Sequence, residues 1–262
     1  MPMVPKHRIP SGPVLMFWVV PAVCVAVAIA LVIAEVAHRS RQVMDRYYPA
    51  DADRPAETDL SEAPEHVIAS PREGLLVEVD EAALAKLAAR ANCVVALERR
   101  VGDFVPEGSA LLTVRGDPDD PDRLVGRMCR RVVLGAERAL VQDVAFGFRQ
   151  LVDIADRAMS PGINDPTTAC RALDSLHSLL RQLATRAPAS DAVCGPDGRV
   201  RLVMPRYQFA DLLDVTVDEI WHYGSDAAQV PERIRRMLAD LAEVARPEHQ
   251  DAVRHWIRRV NA

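Results

Sequence analysis

The stretch S-P-G-I-N-D-P, Ser160 to Pro166, stands between two long helical patterns and fixes how they join. Pro161 lacks the amide that a continuing helix needs, and Gly162 suits the positive φ at which helices end. Asp165 offers a side-chain oxygen as N-cap of the next helix, and Pro166 occupies its first position, where a missing amide does no harm. With Ser160 and Asn164 these residues form a structural junction, and so tight a stop and restart sets the angle between two helices.

Outward from the junction, the pattern is helical on both sides. Before it, Leu140, Val144, Phe148, Leu151 and Ala155 recur every three or four residues as a buried face of a helix between Gly135 and Met159. Arg149, Asp153 and Arg157 share the other side, a solvated face of i, i+4 pairs. After it, Ala169, Leu173, Leu176, Leu180 and Leu183 give a second seam, with His177 beside it as a packed or surface residue. The helical stretch runs from about Arg123 to Thr185, followed by a Pro-, Gly- and Asp-rich loop over 188–198 and a short strand over 199–204. Helices are then predicted over 208–223, 231–244 and 247–260, the last with Arg254, Arg258 and Arg259 near the end where the helix dipole favours positive charge.

Ahead of the helices lies a small β-rich pattern. Strands are predicted over 75–79 and 94–97, with a helix over 81–91 behind Asp80 as its cap. V-G-D-F-V-P-E-G-S-A-L-L-T-V, Val101 to Val114, is a Pro-containing turn leading into an alternating strand. This resembles the barrel-sandwich modules that carry biotin or lipoate. Those need a lysine at a hairpin tip; Lys86, the only lysine of this region, falls in the predicted helix, so no cofactor is expected. Gly116 to Asp122 is acidic and turn-rich without a calcium-loop pattern, and reads as a solvated connector.

At the front, Val14 to Ala34 is 21 residues without a charge. As a helix it measures roughly 31 Å, against a hydrocarbon core of ~30 Å. Lys6, His7 and Arg8 also suit a signal peptide, but the run is longer than a usual signal core and Glu35 and Val36 spoil a small-residue cleavage site. The expectation is a retained single-pass anchor in the cell (inner) membrane. Arg39, Arg41 and Arg46 favour a cytoplasmic C-terminal body. Val36, Val43, Met44 and Tyr47 share a face of what reads as an amphipathic juxtamembrane stalk, and the acidic stretch from Ala50 to Pro64 reads as a linker.

Composition narrows the classes. A net charge of −5 argues against a general nucleic-acid partner, and 5% aromatics suit helices better than a large sandwich. Cys24, Cys93, Cys129, Cys170 and Cys194 have no C-x-x-C spacing, which points to reduced, mostly buried thiols. The fold class is therefore α+β and mostly helical: an anchor and juxtamembrane helix over 1–48, a linker over 49–64, a small β-rich barrel-sandwich-like module over 65–116, and a helical domain over 123–262 holding the junction.

The run F-G-F-R-Q-L-V-D-I-A-D-R-A-M-S-P-G-I-N-D-P-T-T-A, Phe146 to Ala169, resembles the predicted bacterial membrane proteins known as domain of unknown function 2254. The resemblance covers most of the chain after about Val32. It implies several membrane helices before the soluble part, with I-A-E-V-A-H-R-S-R, Ile33 to Arg41, as the end of the last one, so that this chain is expected to be a shortened or truncated member. It implies no particular reaction.

Three functional readings stay open: a membrane-anchored interaction, regulatory or scaffold domain that oligomerises or binds another membrane protein; an enzyme, ligand or cation site at the Ser160–Asp165 loop; and a component of a transport or channel assembly. For a cation, Ser160, Asn164 and Asp165 are candidate ligands, with Asp153 or Asp156 reaching from the preceding helix. Two carboxylates without a histidine cluster make a thin ligand set, and no nucleophile elbow, Walker or dinucleotide motif is present. No catalytic residue is assigned, and the first reading is preferred.

Overall fold

The computed structural model describes residues 13–51, 64–118, 120–227 and 229–262. The greater part of the expected linker, 52–63, lies outside the described residues, as does the start of the basic N-terminal flank.

Helix α1 (Pro13–Tyr47) runs as one helix of 35 residues. Among the described residues one stretch, Val23–Tyr47, is long and apolar enough to cross a membrane. The helix changes surroundings part-way. Val20, Val23, Val25, Val27, Leu31 and Val32 are exposed, whereas Ile33, Val36, Ala37, Ser40, Val43 and Met44 are buried. The expected stalk is therefore not a free stalk. Its apolar face enters the core of the body, where Tyr48 is buried too while Tyr47 is only half-buried. The 3.6-residue periodicity that suggested an amphipathic surface helix is the same signal that a helix gives when it packs into a bundle.

The β region holds β1 (Glu65–Ala69), β2 (Gly74–Val79), α2 (Glu81–Arg90), β3 (Val94–Leu97), β4 (Phe104–Val105), β5 (Ala110–Arg115), α3 (Pro121–Cys129) and β6 (Val132–Gly135). Helices α4 (Val144–Met159) and α5 (Pro166–Ala184) flank the junction. The hairpin β7 (Ala192–Cys194) and β8 (Val200–Val203) follows, and α6 (Phe209–Gly224), α7 (Val230–Val244) and α8 (Gln250–Val260) complete the chain. The class is mixed α+β with helix predominating.

The strands form no closed barrel. One sheet has the order β1-β5-β3-β8-β7 and the other β4-β2-β6. β8 lies parallel to β3, and β7 extends the sheet antiparallel beside β8. Both sheets thus draw strands from beyond residue 116: β6 comes from a stretch read as the start of the helical core, and β7 from a stretch read as loop. Three-residue strands flanked by Pro, Gly and Asp give no periodic signal in sequence. Within the long helix expected between Gly135 and Met159, α4 starts only at Val144. Asp143, with 2% of its surface exposed, caps it through Phe146 N at 2.9 Å and receives two bonds from Arg138. Leu140 lies in the preceding turn rather than on the helix.

The β region is locked to the helices by polar contacts. Gln142 imitates a strand partner, with its oxygen accepting from Val79 N at 2.7 Å and its amide donating to Val79 O at 2.9 Å. Arg206 pairs with Glu81 at 2.6 Å, both largely buried. Gly102, at φ 97°, leaves room for Asp143; an added Cβ would fall 2.3 Å from its Oδ2.

The C-terminus of α1 is held by Arg186, which donates to Met44 O at 3.0 Å and Tyr48 O at 2.7 Å and also pairs with Asp45. Met44 O also accepts from Tyr48 N at 2.8 Å, and a cation at this helix end complements the dipole. Tyr48 donates to Tyr207 O at 2.9 Å, and Ala187 N donates to Ala50 O at 3.1 Å.

Helices α1 and α4 cross through small residues. An added Cβ at Gly147 would lie 1.9 Å from the Oγ of buried Ser40. Gly147→Ala is expected to destabilise the detergent-solubilised chain by about 1–3 kcal/mol, the usual cost of overpacking. Ser40→Ala removes the clashing oxygen, so the double variant should lose less than the two single losses added together. Strict additivity in thermal melts would show that the two residues do not form the crossing.

Candidate functional site

The junction sits at one end of the helical layer. Ser160 closes α4, its hydroxyl donating to Arg157 O at 2.7 Å. Ser160 O then accepts from Ile163 N at 3.0 Å and Asn164 N at 2.9 Å, and Asp165 N donates to Ala158 O at 2.7 Å. The left-handed residue is Asn164, at φ 47°, and not Gly162, whose φ is not positive. Asparagine tolerates this region because its side chain is short and polar. Asp165 caps α5 with both oxygens: Oδ1 accepts from Thr168 N at 3.1 Å and Oδ2 from the Thr168 hydroxyl at 2.6 Å. Pro161, Gly162, Ile163 and Asn164 are exposed, and Asp165 and Pro166 half-buried.

The other candidate ligands are engaged elsewhere. Asp153 pairs with Arg149 at 3.0 Å along α4. Asp156 faces Glu219 on α6. Among the described residues no group of three or more His, Cys, Asp or Glu side chains stands together to hold a metal ion. His177 pairs with Asp240 at 2.7 Å, which Arg181 also meets. All five cysteines are free; Cys93 is buried, whereas Cys24 and Cys194 are exposed, so the expectation of mostly buried thiols holds for only part of the set.

A second feature was not evident in the sequence. Between α4, α6 and α8 lies a cleft of about 380 Å3, lined by Arg149, Asp214, Val215, Asp218, Glu219, His255, Trp256 and Arg259. Its charges are largely satisfied from within. Arg149 meets Glu219 at 2.8 Å, Arg259 meets Asp218 at 2.9 Å and stacks over Trp256 at 4.6 Å, and Trp256 Nε1 donates to Asp214 at 2.6 Å. Asp156 lies outside this lining, and its Oδ1 is buried without a partner. Burial first, then the negative charge of Glu219, push its carboxyl up to about 6. A neighbouring carboxylate and partial burial both favour the protonated form of Asp156. Helix α5 and the β7–β8 hairpin lie between Asp156 on α4 and Glu219 on α6, so nothing local signals the pair.

The same fold and sequence can be set beside known proteins. The family model described as "Predicted membrane protein (DUF2254)" matches residues 15–240, starting inside the apolar helix rather than near Val32. Uncharacterised proteins from Mycobacterium tuberculosis and Mycobacterium bovis are each 34% identical over 229 residues, which is 83% of this chain and 43% of each relative. The chain thus spans less than half the length of these relatives. No solved structure matches.

Two substitutions test the local chemistry. Asp165→Ala should cost about 1 kcal/mol of stability, as loss of an N-cap does, while Asp165→Asn keeps an acceptor for Thr168 N and should cost less. The Thr168 bonds hold the Asp165 carboxyl below the usual range. Its contribution is therefore present above the unfolded value of ~3.9 and lost as pH falls through the lower folded value. Melts of the two variants that lose stability equally, or depend on added divalent ions, would contradict the capping role.

For Asp156 the sign is reversed. The folded chain disfavours its ionised form, so the penalty is full above about pH 6 and fades as pH falls toward the unfolded value. Asp156→Asn should raise the melting temperature by roughly 2–4 °C at about pH 8, the shift produced by about 1 kcal/mol in a chain of this size. The gain should shrink below about pH 6. An unchanged melting temperature at both pH values would refute the destabilising charge of Asp156.

Proposed function

The chain belongs to the predicted membrane proteins of the DUF2254 family, and we propose that it acts as a non-enzymatic interaction or scaffold domain held rigidly at the inner membrane, with its body in the cytoplasm. The observation that carries this reading is the uninterrupted course of α1 from a stretch whose apolar Val23, Val25, Val27, Leu31 and Val32 are exposed into the buried core of the body. A flexible tether would let the body move freely; here Ile33, Val36, Ala37, Val43, Met44 and Tyr48 are core, so the body is fixed to whatever holds the exposed stretch before them. The cytoplasmic placement rests on Arg39, Arg41 and Arg46 beyond the span.

The interaction role is supported by the outer face of the β4-β2-β6 sheet. Phe104 is 56% and Val133 45% exposed there, with Leu75 half-buried on the same side. A second copy of the chain or another membrane protein is the partner this reading supplies for that face. The cleft of α4, α6 and α8 gives an enzymatic reading less support, because its charged groups are paired with one another rather than converging on free space.

The test is a pair of substitutions on adjoining faces of α1. Leu31→Arg, at an exposed position, should shift the chain from the alkali-resistant membrane fraction toward the soluble fraction with the body still folded. Ile33→Arg, at a buried one, should unfold the body. A chain that leaves the membrane on alkaline extraction without any substitution would overturn the anchor. Labelling of an introduced thiol at Glu107 by an impermeant reagent in intact cells would overturn the cytoplasmic orientation.

A further inference from the structure

Helix packing fixes where the membrane-facing end of the body lies. Ser40 of α1 meets Gly147 of α4, and Tyr48 shares a small cavity with Val144, so α4 runs antiparallel to α1. Arg41 donates to Ser178 of α5, and Arg186 reaches back to Met44 and Tyr48, so α5 runs parallel to α1. From Gly147 to the end of α4 at Met159 is twelve residues, roughly 18 Å at ~1.5 Å per residue. Counting the same distance back along α1 from Ser40 arrives near residue 28. From Ser178 back to the start of α5 at Pro166 is again twelve residues, which arrives near residue 29. Both ladders bring the Ser160–Asp165 loop level with the stretch of α1 whose apolar side chains, Val25, Val27 and Leu31, are exposed.

Helix α6 ends at the same height. A Cβ on Gly224, its last residue, would meet Met159 Sδ at 2.7 Å. Two large side chains stand out from this end: Ile163 is 62% exposed at the tip of the loop, and Tyr223 is 66% exposed at the end of α6. Arg157 and Arg171, both exposed, flank the loop on α4 and α5.

We propose that this end of the helical layer is a lipid-contacting face: Ile163 and Tyr223 enter the headgroup region of the bilayer that α1 crosses, and Arg157 and Arg171 meet anionic headgroups. The inference rests on the reading of α1 as a membrane anchor and adds a second point of contact to it. Its chemistry is that of interfacial anchoring. An isoleucine on a rigid turn leaves water without an entropic cost of ordering, a tyrosine at the boundary keeps its hydroxyl wet, and arginines favour negative surface potential. Two contacts at one height also fix the tilt of α1, which a single helix leaves free. The S-P-G-I-N-D-P turn then acquires a purpose beyond joining helices, since Pro161 and the left-handed Asn164 hold Ile163 outward.

The experiment uses the full chain with Cys24→Ser and Cys194→Ser, reconstituted in vesicles of phosphatidylcholine and phosphatidylglycerol. A polarity-sensitive thiol fluorophore is placed in turn at Ile163→Cys, at Val27→Cys on α1, and at Glu107→Cys on the hairpin of the β region. Quenching by lipid carrying a headgroup-level nitroxide is then measured. Quenching at 163 several-fold above that at 107, and weaker when Arg157 and Arg171 are changed to Glu, supports the proposal. Quenching at 27 but not at 163 overturns it and leaves the anchor standing. Absence of quenching at 27 removes the anchor and the proposal together. A label at 163 that is blue-shifted in detergent micelles and in vesicles alike, yet not quenched, assigns the face to a protein contact and likewise overturns it.

Discussion

The constraint on which the structure depends is that one helix serves two solvents. α1 is apolar over most of its length, yet Val23, Val25, Val27, Leu31 and Val32 are exposed while Ile33, Val36, Ala37, Val43 and Met44 enter a protein core. Burial of Ile33, Val36, Val43, Met44 and Tyr48 is worth on the order of 1.5–3 kcal/mol for each large side chain. Without those side chains, α4 and α5 would lose the surface against which their own seams close. The polar clamp at the helix end acts in the same direction. Arg186 occupies the carbonyls of Met44 and Tyr48, and its own carbonyl accepts from His249 at 3.0 Å, so the end of α1 is tied to the segment entering α8.

That arrangement explains the close crossing at Ser40 and Gly147. The hydroxyl of Ser40 donates to Val36 O at 2.7 Å within its own helix, so a buried polar atom is satisfied without a partner on α4. Glycine opposite lets the backbones approach, and Leu140 fills the flank. The β region is joined differently, through Gln142, Arg206 and the Asp143–Arg138 pair. Its own core, centred on Leu76, Leu84, Val95 and Leu112, is separate from the helical one. Two cores connected by oriented polar contacts keep a fixed geometry, because each of these bonds loses strength steeply with misalignment.

Much of the helical architecture was legible in the sequence, because heptad-like seams such as Leu173, Leu176, Leu180 and Leu183 admit little else. The caps at Asp80 and Asp165 were legible for the same local reason: an acceptor precedes an apolar periodic run. What was not legible was mostly non-local. The strand over 199–204 was legible as β8, but its parallel pairing with β3, across more than a hundred positions, was not, because nothing local records a partner so distant. Asp143 lay hidden inside an apparently continuous helix because Leu140 continued its spacing by chance. Gly162 was credited with the conformation that Asn164 adopts; both residue types tolerate positive φ, and composition alone does not choose between neighbours. The Asp156–Glu219 pair and the paired charges of the cleft are products of the packing of α4 and α8 against α6.

Legibility fails most instructively in α1 itself. Hydropathy registers that a side chain avoids water and is blind to what replaces the water. Val32 and Ile33 are adjacent and equally apolar, yet the first is 52% exposed and the second 4%. The polar residues of the helix separate the two solvents where the apolar ones do not. Glu35 and Arg39 pair with each other at 2.6 Å on the exposed side, and His38 and Gln42 make contact at 3.1 Å one turn along. Beginning at Glu35, then, the exposed face of α1 is dressed for water while the opposite face stays apolar for the bundle. The surroundings of α1 change at the point where the two faces of one helix cease to be alike, and that point is set by the charged face.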